Sequence, residues 1–165
     1  MIRTAVPADA PAIAALHLRA RATYYPDGLP DDGTDWEQVW VEAITRPRSH
    51  VLVSVREGAL AGLASFRTPD GEPKEVVKLF QFHVSPGLWR RGVGAELHAA
   101  CVEEWHADGV EQAYLDVHGD NTRAQAFYAR QGWTDEGYGD DGGSHLRMRL
   151  HLTARPGECG TEGAR

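Results

Sequence analysis

The chain has 165 residues, 42% of them hydrophobic, and a formal net charge of −7. That length suits one domain around one core, and the acidic balance excludes a general nucleic-acid surface or a polybasic membrane patch. No apolar run approaches the roughly 18 residues of a membrane span, and Ala10 to Leu16, just after Asp9, is too short for a signal segment. Cys101 and Cys159 stand in no CxxC or Cys/His spacing, so no metal is expected and a reducing cytoplasm fits.

In chain order, Ile2 to Val6 reads as a short strand, and Asp9 or a neighbour caps a helix that carries Ile13, Leu16, Ala20 and Tyr24 on one face. Pro26 and Pro30 close it, and residues 25–35 are a Pro, Gly and Asp rich loop. Asp35-Trp36-Glu37-Gln38 resembles a capping box, opening a helix with Trp36, Val39, Trp40 and Ala43 on its apolar face. After Pro47 the period becomes two: His50 to Arg56, Ala59 to Thr68 and Lys74 to Val84 predict an antiparallel meander, with turns at Glu57-Gly58 and Asp70-Gly71.

The third of these strands leads into the most informative stretch of the chain. Ser85-Pro86-Gly87 ends the strand, Arg90-Arg91-Gly92-Val93-Gly94 follows, and from Val93 the spacing of Val93, Leu97, Ala100 and Cys101 is helical. A helix that starts inside a basic glycine loop presents unpaired N–H groups and the positive end of its dipole, so the loop predicts an anion cradle. A nucleotide P-loop fails on spacing, because Val93-Gly94 stands where Lys-Ser/Thr is needed, and a dinucleotide fingerprint lacks its third glycine, since position 97 is Leu97. Beyond the helix, Ala113 to Val117 should be a strand parallel to the one ending at Val84, through a right-handed crossover. Asn121 then caps a helix whose terminal glycine is Gly132, with Ala124, Phe127, Tyr128 and Gln131 on one face. Asp140 to Gly143 read as a turn, His145 to Leu152 as a last strand, and residues 153–165 as a disordered tail.

Two motifs in this order resemble the GNAT N-acetyltransferase superfamily. Trp89 to Gly94, W-R-R-G-V-G, resembles its coenzyme A pyrophosphate loop Q/R-x-x-G-x-G/A, and Asn121 to Trp133 resembles its N-x-x-A-x-x-F-Y-x-x-x-G-F/W segment. Trp89 departs from the usual Gln/Arg, which leaves side-chain charge to Arg90 and Arg91. The resemblance covers roughly residues 1–150 and implies one α/β domain over residues 1–152, a mixed, mostly antiparallel sheet flanked by helices and splayed between its parallel central strands. It also implies transfer of an acetyl group from acetyl-coenzyme A to a primary amine of a small molecule or peptide, without a metal. The backbone of Phe82, His83 and Val84 would bond the pantetheine arm, Arg90, Arg91, Gly92, Val93, Gly94 and Ala95 the pyrophosphate, and Asn121 the pantetheine or an ordered water.

Direct transfer needs a neutral amine and a proton for the leaving thiolate. Tyr128 matches the family's proton donor, with Phe127 beside it as a core residue. Lys78 stands where relatives carry a carboxylate or histidine base, Phe80 is the next inward position, and His83, His118 and Glu75 are the other candidates. Asp27, Asp31, Asp32, Asp35, Glu37 and Glu42 surround Tyr24, Tyr25, Trp36 and Trp40, so they either form a solvated acidic loop or steer and stack a cationic acceptor. A non-catalytic acyl-coenzyme A binding or sensing module is the alternative reading, and a homodimer is compatible with either.

Overall fold

A computed structural model of the chain describes residues 1–139 and 143–152. Its elements are β1 (Ile2–Thr4), α1 (Ala10–Ala22), α2 (Trp36–Thr45), β2 (His50–Arg56), β3 (Ala59–Arg67), β4 (Val76–Val84), α3 (Val93–Ala107), β5 (Gln112–His118), α4 (Thr122–Arg130), β6 (Thr134–Tyr138) and β7 (His145–His151). The strands form one sheet in the order β1-β2-β3-β4-β5-β7-β6. Every neighbouring pair is antiparallel except β4 and β5, which α3 joins as a crossover. No helix among the described residues is long and apolar enough to cross a membrane.

Local chemistry accounts for the meander. Arg56 pairs with Ala59, and the two residues between, Glu57 (φ 53) and Gly58 (φ 77), both adopt positive φ, the turn whose twist matches a hairpin. Along β2, Val51 and Val53 face one side of the sheet and Leu52 the other, as alternation requires. Val51, Val53 and Leu63 pack on Ile13 and Leu16 of α1 and Trp40 of α2, whereas Leu52, Phe66, Val77 and Leu79 pack on Leu97, Cys101 and Trp105 of α3.

The parallel pairing is short. It runs Val76↔Gln112, Val77↔Ala113 and Lys78↔Tyr114 and then stops, although β4 continues to Val84 and β5 to His118. Phe80 is the extra residue of a bulge, since Ser65 pairs with Gln81 and Phe66 with Leu79. A bulge bends and twists its strand, and β4 leaves β5 here. The splay expected from the sequence is therefore present, beginning one residue before the bulge.

Two elements differ from the sequence reading. β6 was not foreseen: Thr134-Asp135-Glu136-Gly137-Tyr138 has no apolar alternation, and it pairs only with β7, at the sheet edge, where no face has to be buried. The first strand is also shorter, ending at Thr4 rather than Val6. The expected turn falls largely on residues 140–142, and it and the tail over residues 153–165 lie outside the described residues.

Both faces of the sheet bury a histidine against a tryptophan. Trp133 Nε1 donates to His98 Nε2 at 2.9 Å, and Trp40 Nε1 donates to His17 Nδ1 at 3.3 Å. Burial pulls each imidazole from its ordinary 6.5 to about 4, with the positive charge of Arg21 adding to the effect at His17. A ring that accepts from an indole is held neutral, whereas in the unfolded chain it takes a proton below its ordinary value. Stability is thus complete above pH 6.5 and falls as pH drops toward about 4. Urea titrations across that window should show a loss on the order of 3 kcal/mol per buried histidine. A free energy of unfolding that stays level from pH 6.5 to 4 would contradict this.

Candidate active site

The splay opens a cavity of about 670 Å³ between the end of β4, the loop into α3, and α4. Phe82, His83 and Val84 line it from the strand, Arg90, Gly92, Gly94 and Ala95 from the loop and first helical turn, and Asn121 and Tyr128 from α4 and its cap. Two residues expected here do not line it. Val93 is 1% exposed because its side chain turns into the α3 core face, and Arg91 points outward while its carbonyl accepts from Arg56 Nη1 at 3.0 Å.

The loop is a backbone feature. Arg90 (φ 64) and Gly92 (φ 80) both adopt the left-handed region. The first helical bond of α3 runs from Glu96 N to Gly92 O at 3.1 Å, so the amides of Val93, Gly94 and Ala95 have no helical carbonyl to bond. The two glycines serve different ends. A Cβ at Gly92 would touch nothing and only its φ demands glycine, whereas a Cβ at Gly94 would lie 3.2 Å from the Phe127 ring.

Trp89, which breaks the expected motif, is tied in from two sides. Its indole donates to Val84 O at 3.2 Å, and the Arg123 guanidinium lies 3.5 Å from its ring centroid. Arg123, one residue into α4, thus brings a cation to the cavity from the opposite wall. Sequence reasoning missed it, and the only available signal was its place inside the Asn121 segment. Asn121 caps α4 as expected, with Oδ1 accepting from Ala124 N at 3.3 Å. Its Nδ2 has no partner among the described residues.

Tyr128 is 6% exposed and more buried than Phe127, which lines the cavity stacked on Phe82 at 5.5 Å. Phe127, expected as core, is thus a cavity wall as well, while Tyr128 is both buried and part of the wall. Burial, then the neighbouring Cys101 and Tyr24, raise the Tyr128 hydroxyl far above its ordinary value, so it stays protonated at neutral pH. Together with Phe82, His83 and Asn121, Tyr128 also lines a second cavity of about 450 Å³ on the α1/α2 side.

That second cavity holds the candidate bases. Lys78 Nζ lies 3.3 Å from Asp116 Oδ2, and Arg147 grips the same carboxylate at 2.9 and 3.0 Å, holding Asp116 below the usual carboxylate range. Phe80 sits under two cations, Arg67 at 4.4 Å and Lys78 at 4.8 Å. His83 shares a hydrogen bond with Gln81 at 2.8 Å, and burial, then the adjoining His17 ring and the positive charges of Arg21 and Arg123, draw it down to about 3. His118 Nδ1 accepts from Asp120 N at 3.1 Å. Glu75 lines neither cavity, and its carbonyl anchors Glu111 and Gln112.

The tryptophans divide: Trp40 is core at 2% exposure, and Trp36 is a wall of the second cavity. The acidic cluster does not reach it. Asp31 and Asp32 accept from the amides of Gly33 and Thr34, and Asp35 caps α2 through Gln38 N. Local turns use those carboxylates, and the charged groups in the cavity wall are Arg21, Lys78 and Asp116.

A sheet splayed over a glycine cradle, with a tyrosine between two cavities, has the architecture of the acetyltransferases named above. The chain matches the Acetyltransferase (GNAT) family over residues 12–133 and belongs to it. It is 31% identical over 127 residues to a mycothiol acetyltransferase of Clavibacter sepedonicus, covering 77% of this chain and 40% of that protein. With the mycothiol acetyltransferase of Beutenbergia cavernae it shares 35% over 78 residues, 47% of this chain and 25% of that protein. The chain therefore spans well under half the length of these curated relatives. In structure it resembles the PaiA N-acetyltransferase of Thermoplasma acidophilum in complex with coenzyme A, with a TM-score of 0.76 at 16% identity over 92% of this chain and 98% of the other.

The glycine geometry yields a test by calorimetry with coenzyme A. Gly94→Val forces the Phe127 ring toward the cavity and should reduce affinity below detection. Gly92→Ala strains the backbone alone, at about 1 kcal/mol, and should weaken binding without abolishing it. Equal, wild-type affinity in both variants would reduce the loop to a turn.

Proposed function

We propose that the chain moves an acetyl group from acetyl-coenzyme A to a primary amine of a small molecule or peptide by direct attack. The observation that carries this reading is the position of Tyr128, whose side chain lines both the cavity with the glycine cradle and the cavity beneath α1 and α2. Acetyl-coenzyme A fits the first cavity by its chemistry. Past Lys78 the edge of β4 has lost its partner strand, so the backbone of Phe82, His83 and Val84 offers donors and acceptors to an amide-rich arm. The amides of residues 93–95, with Arg90 and Arg123, suit phosphate, and Asn121 Nδ2 can donate to the arm.

When bound, the cosubstrate supplies an acetyl group activated as a thioester. The chain's own residues orient it and move protons. Tyr128 holds a proton at Oη for the sulfur that leaves as the new N–C bond forms and the C–S bond breaks. It then regains a proton from solvent. A buried, neutral phenol suits that late step and is a poor base for an ammonium. No carboxylate serves as base, since Asp116 is neutralised by Arg147 and Lys78. The amine must therefore enter deprotonated or lose its proton to water within the cationic second cavity.

The absence of a strong base beside Lys78 also favours the alternative of a non-catalytic acyl-coenzyme A module. Thiol release with a panel of amines separates the two. For the enzyme, Tyr128→Phe should lower kcat by roughly 10²–10⁴, the usual size of one lost general acid, with acetyl-coenzyme A affinity nearly unchanged. The acidic limb of the rate profile should move with the pKa of each amine. A limb fixed at one pH across amines would point to a protein base, and near-normal turnover in Tyr128→Phe would remove this residue from the chemistry.

A further inference from the structure

The wall of the second cavity contains one cation, Arg21, that forms no ion pair among the described residues. Among the described residues, the other charged side chains lining it are accounted for: Lys78 pairs with Asp116, which Arg147 also grips from outside the wall. Arg21, in the last turn of α1, takes part in none of the ion pairs. Asp32, the acid of the loop that feels it, does so only as the weakest of several influences, and its carboxylate is spent on Thr34. What surrounds Arg21 is aromatic. Its guanidinium carbon lies 5.4 Å from the Tyr25 ring and 5.5 Å from the Trp36 ring, and it donates to the Tyr24 hydroxyl, whose ionisation it favours. Ring contacts and one bond to a phenol use few of the five N–H donors of a guanidinium, and the others can still take a carboxylate bidentately. The charge is felt deep in the site, since it helps keep His17 and His83 neutral.

Resting on the acetyltransfer reading above, we propose that the acceptor is an amine that also carries a carboxylate, and that Arg21 binds this carboxylate while the amine faces Tyr128. The cavity then sorts amines by charge. A simple ammonium meets Arg21 and the Lys78–Arg147–Asp116 cluster, which is itself net positive, with no anion to offset them. A zwitterion or amino acid brings its own. The carboxylate compensates Arg21, and the remaining positive field favours release of the ammonium proton. This replaces the expectation of a cationic acceptor steered by Asp31 and Asp32, whose side chains are committed to turns.

The test uses matched pairs: alanine and alaninamide, phenylalanine and phenylalaninamide, histidine and histidinamide, and γ-aminobutyrate and its amide. Thiol release gives kcat/KM for each, and calorimetry of the corresponding N-acetyl acids and N-acetyl amides, on protein saturated with coenzyme A, gives affinity without turnover. The better acids should exceed their amides by roughly 10- to 100-fold, the worth of one charge-assisted pair, mainly in KM. In Arg21→Gln that ratio should collapse toward one, and Arg21→Lys should keep part of it. If no pair is turned over yet the N-acetyl acids bind better in an Arg21-dependent way, the transfer reading fails, the acceptor role falls with it, and the carboxylate site at Arg21 stands alone. Amides equal to or better than acids, a preference that survives Arg21→Gln, or no binding by any acid overturns it.

Discussion

The structure depends on a pairing that is broken off. β4 and β5 hold each other over three residue pairs and then part, leaving each strand laddered on its outer side but with one half-buried edge unpaired. An unpartnered buried N–H or C=O costs about as much as a lost hydrogen bond, so a fold tolerates such a gap only where something else fills it. The bulge at Phe80 makes the separation, α3 and α4 wall one side of it, and α1 and α2 wall the other. Both cavities are consequences of that one departure, which is why the residues that line them come from all four helices and from β4, β5 and β7.

Much of this was legible beforehand, for local reasons. A glycine loop between a strand and a helical period, a two-residue hairpin at Glu57-Gly58, and an asparagine cap three residues before Ala124 each carry their chemistry within a few positions. What escaped lies in relations across the sheet. β6 carries no apolar alternation because an edge strand buries no face. Phe127 and Tyr128 are adjacent on one helix, and sequence order cannot say which ring lies deeper; the packing puts Tyr128 deeper, with both in the cavity wall. The acidic run from Asp27 to Glu42 looked like a substrate funnel by composition, yet Asp31, Asp32 and Asp35 are spent on backbone amides within three residues of themselves.

The electrostatic pattern is also unlike the chain's net charge. A protein at −7 overall gathers Arg21, Arg67, Lys78 and Arg147 around the second cavity and its rim, and keeps His17 and His83 uncharged by burial first and by Arg21 after it. Charge has been separated within one small domain. Local fields of this kind act on the protonation of whatever enters, and they do so without a dedicated base.

The stack of Arg123 on Trp89 has a bearing on how such a chain can change over time. A position in the loop that elsewhere supplies its own polar side chain holds an indole here, and the compensating guanidinium comes from a helix more than thirty residues away in sequence. The two sites are coupled through that stack: replacing Arg123 removes one of the two ties that hold Trp89, and a loop transplanted from a cousin without an indole at position 89 would leave Arg123 without the ring it rests on.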